Sequence, residues 1–160
     1  MENVNQLRTM WLEPPHSRLA HWREFRKSLD PDNIDSLCYS ICKWWSFAPQ
    51  QNLSIDPYDP VTWPSVWEML HQGDYCKYST AIGMAYTVFY VNQKIKNKVL
   101  RVHDLENHDI YMTTLIDNRI LLNYNYGEVA TWDSVKANLD IQDSWDCTSV
   151  VEMTKHRISI

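Results

Sequence analysis

The stretch "GDYCKYSTAIGMAYTVFY", residues 73–90, sets a cysteine where a helix should begin. Gly73 and Asp74 are turn and cap types, and no proline interrupts the residues after Cys76. A thiol performs acyl chemistry as the thiolate, and a helix N-terminus favours that charge. Cys76 is therefore a candidate nucleophile. The competing account is a small apolar residue packed in a core, since free cysteine is among the most buried types. A nucleophile of this kind needs a base, and the base needs an acceptor that holds its tautomer. His103 and His108 come later in the chain, with Asp104, Asp109, Asp117 and Asn123 as nearby acceptors. His103 alternates within an apolar run and reads as structural, whereas His108 sits in the polar "ENHD". His16, His21, His71 and His156 lack the cysteine or carboxylate company of a site.

The elements that must position these groups can be read from periodicity. Leu19, Trp22, Phe25 and Leu29 form one stripe of a helix over 16–29. Ile34, Leu37, Cys38, Ile41, Cys42 and Trp45 form another over 34–47. Residues 48–64 hold four prolines and read as a long loop in extended or turn conformations. Ser65 and Glu68 make a capping box for a short helix that Gly73 ends. Residues 75–93 give the longest helical pattern, and Ser79, Ala81, Gly83 and Ala85 would let another element approach it closely.

The period then shortens. "KVLRVHDL", "DIYMTTLID" and "RILLNYN" read as strands, with a tight turn at Asp117-Asn118. Simple pairing around that turn makes facing residues sum to about 235. Asn123 then faces residue 112 and His108 faces residue 127, so a bulge would be needed to bring the two together. "EVATWDSVKANL" returns to a helical or mixed pattern, and "DCTSVVEMTKHRISI" has the alternation of a final strand. Helices followed by an antiparallel sheet of three to five strands make an α+β layer architecture.

Length and composition bound the rest. A chain of 160 residues suggests a single domain, here 16–160 preceded by an irregular arm at 1–15. With 8 Trp, 9 Tyr and only 3 Gly, a large aromatic core is expected and phosphate-cradling loops are not. A net charge of −5 argues against a nucleic-acid partner. No apolar run is long enough to span a membrane, and the N-terminus lacks the apolar region of a standard signal peptide. The four cysteines are expected as reduced thiols. Cys38 and Cys42 lie four apart on one helical face, and a zinc knuckle spaces its cysteines differently, so core packing is the better account. Trp45 and Trp67 fall on helical faces and read as core, while Trp63 could serve the core or an interface.

A helix-start cysteine, a strand histidine and an Asp or Asn in the next strand resemble the transglutaminase-like branch of the papain-like cysteine fold. The resemblance implies Cys76 in "GDYCKYSTAIGMAYT" as nucleophile, His108 in "ENHDIYMTTLIDN" as base and Asn123 in "RILLNYNYGEV" as orienting residue. It implies acyl transfer or amide hydrolysis with no cofactor and no metal. Two positions depart from the family pattern. Ile110 stands where an aromatic residue is usual, and Tyr124 follows Asn123 where proline is usual. "DPYDPVTWPSVWEML" with "YCKYSTAIGMAYT" and "LLNY" is also similar to small proteins of tailed bacteriophages. That likeness implies a life in the host cytoplasm or in the particle, with other phage structural proteins as partners. It keeps open a non-catalytic neck, tail or baseplate role, because fold does not fix function.

Overall fold

The computed structural model describes residues 3–155, which form seven helices and a five-stranded antiparallel sheet. Helices α1 (Val4–Met10), α2 (Pro15–Lys27), α3 (Ile34–Ser46) and α4 (Val66–Gln72) precede the central α5 (Ser79–Val91). Strands β1 (Asn97–Asp104), β2 (Asp109–Ile116), β3 (Ile120–Tyr124) and β4 (Glu128–Thr131) run on through hairpins. A short α6 (Trp132–Val135) and one 3-10 turn carry the chain to β5 (Leu139–Asp146), and α7 (Cys147–Thr154) comes last. In the sheet the order is β4-β3-β2-β1-β5.

Local chemistry accounts for most boundaries. Ser65 and Glu68 close a reciprocal capping box on α4, and Gly73 ends it with φ 76°, a conformation that favours glycine. Arg18 of α2 completes that end, donating to the carbonyl oxygens of Leu70 at 2.7 Å and His71 at 2.9 Å. Asp117 and Asn118, both left-handed, turn β2 into β3.

Four expectations are corrected. The arm at 1–15 contains α1, capped by an Asn3–Gln6 box, and Leu7, Met10 and Trp11 bury themselves in the main core. The segment read as a final strand is α7 through Thr154, because Cys147, Val150, Val151 and Thr154 recur at helical spacing and are buried. The fifth strand lies just before it, over Leu139–Asp146, where no strand was expected. His156 and the rest of that segment lie outside the described residues. Around the β2–β3 turn, Ile116 faces Ile120 and Thr114 faces Leu122, a register one residue beyond the simple one.

The main core lies between the helices and one face of the sheet. Trp45 of α3 meets Gly83 of α5 in close contact. A Cβ on Gly83 would lie 2.6 Å from the indole ring. Beside it, the indole N–H groups of Trp22 and Trp45 both donate to the hydroxyl of Thr87, at 3.1 and 2.9 Å. Trp63, for which the sequence left two readings, is fully buried, against Trp145. A smaller cluster of Leu100, Val102, Tyr111, Leu115, Leu121 and Leu139 fills the opposite face of the sheet.

Gly83→Ala tests this packing. Ala is the better helix former by about 1 kcal/mol. Overpacking costs about 1–3 kcal/mol, and a displaced indole loses a buried hydrogen bond worth about another. The steric side wins. Thermal unfolding should show a melting temperature lower by roughly 3–8 °C; an unchanged or higher value would refute the close-packing account.

Candidate functional site

Cys76 is placed by both of its neighbours in sequence. Upstream, Gly73 turns the chain, and Tyr75 forms a parallel bridge with Gln50, its carbonyl accepting from the Gln51 amide at 2.8 Å. Downstream, the Cys76 carbonyl accepts from the Thr80 amide at 3.1 Å and the Thr80 hydroxyl at 3.0 Å. The regular helix opens at Ser79, three residues later than the cysteine, yet its first main-chain bond starts at Cys76.

The thiol is 1% exposed. Ser54 donates its hydroxyl to Sγ at 3.4 Å, and Ser79 accepts the Cys76 amide at 2.9 Å. The two serine hydroxyls lie 3.5 Å apart. Burial by itself would raise the thiol pKa, but the hydroxyls and main-chain amides of Ser54 and Ser79 outweigh it and hold it below the ordinary value. The other three thiols lack such donors in strength. Burial pushes Cys38 and Cys147 up to about 12 and Cys42 up to about 11. Cys76 thus differs electrostatically from every other cysteine in the chain.

Asn123 is brought to the same neighbourhood through β2. The Met112 amide donates to the Lys77 carbonyl at 3.4 Å, and the Asn123 side chain donates to the Met112 carbonyl at 2.9 Å. Asn123 has φ 65°, where the regular pairing of β3 stops, and this left-handed turn aims its amide at β2. Beyond Tyr124, the residues Asn125, Tyr126 and Gly127 again have positive φ, and the Cys42 thiol reaches the Gly127 carbonyl at 3.4 Å.

His108 comes just before β2, its ring centre 6.5 Å from that of His103. It occupies the β1–β2 turn with φ 57°, exposed, its amide bonded to the Asp104 carbonyl at 2.8 Å. Among the described residues no hydrogen bond joins Cys76, His108 and Asn123 to one another. The side of β2 that faces the helices carries Ile110, Met112, Thr114 and Ile116. His103, directly across from Ile110 on β1, shares that side and is half-buried. Its neighbour on β5 is Asp140. Lys77 and Asp109 close the rim with a 2.9 Å ion pair.

Sequence reading missed both serines. Ser79, three residues after Cys76, had a local signal, since that spacing suits a helix start. Ser54 had none, because it comes from a loop 22 residues away. Among the described residues no three His, Cys, Asp or Glu side chains gather as a metal site, and no helix is long and apolar enough to cross a membrane.

The α+β arrangement is a transglutaminase-like fold. Two solved structures carry that likeness. Legionella pneumophila LapG superposes with a TM-score of 0.66 at 14% identity, over 91% of this chain and 84% of that one. EGTA-treated LapG gives 0.68 at 12% identity, over 99% of each chain. At such identity the likeness establishes the fold. No family model and no curated protein matches the sequence.

The turn that holds His108 depends on Asp104, buried to 1% exposure. Its carboxylate accepts from the amides of Glu106 and Asn107 and from the side chains of Asn138 and Tyr111. Burial would raise its pKa, but these donors win and lower it below the usual 3.8. A depressed carboxylate stabilises the fold above the unfolded-state pKa, and that contribution is lost as pH falls below it. Urea midpoints measured downward from pH 6 should therefore fall below about pH 4. Asp104→Asn should be less stable at pH 6 and show a shallower acid decline. Parallel curves for the two proteins would remove Asp104 from this role.

Proposed function

We propose that this chain uses the transglutaminase-like fold as a protein-binding or assembly scaffold, without turnover at a Cys76–His108–Asn123 site. One observation carries the reading. The buried Cys76 thiol is partnered by a serine hydroxyl, and the helix-facing positions of β2 between it and Asn123 are Ile110 and Met112. Acyl transfer by cysteine needs a group that moves a proton to the leaving atom. An apolar pair there gives none, and His103, across from Ile110 on β1, makes no hydrogen bond to the thiol, whose partner is Ser54. The setting belongs to the same proposal: a tailed-phage component that meets other structural proteins during assembly in the host cytoplasm or in the particle.

A second reading is acyl transfer or amide hydrolysis by Cys76, with His108 as base and Asn123 as orienting residue. It is favoured by the thiol's own environment, where Ser54 and Ser79 lower the pKa of Cys76 while the other cysteines are pushed up.

Reaction with a small activated ester separates the two. The scaffold reading expects no burst and no turnover that disappears in Cys76→Ala. A burst of about one equivalent per chain, lost in Cys76→Ala and in His108→Ala, would establish the enzyme. A second arm is the composition of purified particles, where a fixed copy number of the chain is expected; its absence from particles would remove the virion role.

A further inference from the structure

We infer that residues 50–59 form a strap that covers Cys76 and opens without unfolding of the domain. The strap is tied at its two ends. At the near end, the Gln51 amide bonds to the Tyr75 carbonyl at 2.8 Å, and the Gln50 side chain donates to the Thr80 hydroxyl at 3.0 Å. At the far end, the Trp63 indole N–H donates to the Asp56 carbonyl at 2.7 Å. Arg101 of β1 is the larger tie. Its buried guanidinium lies 4.2 Å from the Tyr58 ring centre, donates to the Pro57 carbonyl at 3.4 Å and pairs with Asp143 of β5 at 2.7 Å.

Between these ties the hold is weak. Among the described residues, the main chain of 52–55 makes no hydrogen bond to other main chain, and the Ser54 amide turns to the Cys76 sulfur instead. This stretch is held down by the Ser54 hydroxyl, shared between the Cys76 sulfur and the Ser79 hydroxyl, and by the half-buried Ile55, which packs on the core. Leu53 is 62% exposed, and Ser54 itself is exposed. The thiol is therefore sealed by one layer of chain whose removal breaks the contacts of Ser54, through its hydroxyl and its amide, to sulfur and one apolar contact. Cys38, Cys42 and Cys147 are sealed differently. They lie on α3 and at the start of α7, inside the packed layers, where exposure requires moving a helix. Segments with few buried contacts and unbonded main chain open at far lower free energy than the whole domain. This inference goes beyond the scaffold reading, since it concerns access to the thiol and holds whether or not any acyl transfer occurs.

The four cysteines supply the test. N-ethylmaleimide labelling of the native chain is followed residue by residue by mass spectrometry at neutral pH. Cys76 should label at least about tenfold faster than Cys38, Cys42 and Cys147, and its rate should change little with urea below the unfolding transition. Arg101→Gln releases the far tie and Ile55→Ala the apolar contact. Each should raise the Cys76 rate about threefold or more relative to wild type, with the other three rates unchanged. Comparing each cysteine with itself cancels differences in thiol pKa. Labelling of all four at one urea-dependent rate, or a Cys76 rate untouched by both substitutions, would overturn the strap. The ester experiment cannot produce either result, so failure of the scaffold reading and failure of the strap are separate outcomes.

Discussion

The close approach of Trp45 to Gly83 governs the geometry of this molecule. An indole ring can lie against the α5 backbone only where no side chain intervenes, and Gly83 leaves that opening. Thr87, one turn further along, takes the N–H of both Trp45 and Trp22, so two large rings enter the core without leaving a donor unpaired. Thr87 in turn donates to the Gly83 carbonyl at 2.8 Å. One helix turn thereby fixes α2 and α3 against α5. The cost of a glycine inside a helix, about 1 kcal/mol, is small beside the burial of two indoles. With α5 pinned on that side, its other side meets the sheet, where Thr114 donates to the Ala81 carbonyl at 2.6 Å.

Fixing α5 fixes the chain that enters it, and this decides what kind of thiol Cys76 is. Burial opposes a thiolate, whereas hydroxyl donors and the amides of a helix start favour it. At Cys76 the donors win; at Cys38, Cys42 and Cys147 burial wins. Yet a favoured thiolate is only one part of a catalytic arrangement. The main chain of Met112 ties the cysteine loop to Asn123, while its side chain and that of Ile110 fill the helix-facing side of the strand with apolar groups. The fold thus holds the cysteine and the amide close to a common strand and sets His108 in the exposed turn that precedes it.

Much of the scaffold was legible locally. The capping box of Ser65 and Glu68, the left-handed Gly73 and the turn at Asp117-Asn118 all express preferences set within four residues. The helical stripe from Ile34 to Trp45 and the small residues of α5 showed which faces would be buried. Reading failed where two periods compete over a short span. Val150, Val151 and Thr154 fit a strand's alternation about as well as a helix's, and burial against α5 selected the helix. Residues of β5 alternate poorly because most are exposed on an edge strand, so little apolar signal marked them. Helix α1 is only seven residues long and depends on Leu7 and Met10 finding the core, which no local propensity foretells.

The sequence by itself determined the passage from helices to sheet, the turn chemistry at Gly73 and Asp117-Asn118, and a cysteine at the entrance to a central helix, because each rests on contacts between residues near in the chain. Tertiary structure alone decided the company of that cysteine. Ser54 reaches it from 22 residues away, Asn123 approaches through a left-handed bend and one shifted register, and the amide of His108 is bound in a turn to the carbonyl of Asp104. A register shift of one residue moves each facing pair along the ladder, and a single positive φ redirects a side chain. Such choices are made by packing across the whole core, so the identity of a residue does not carry them.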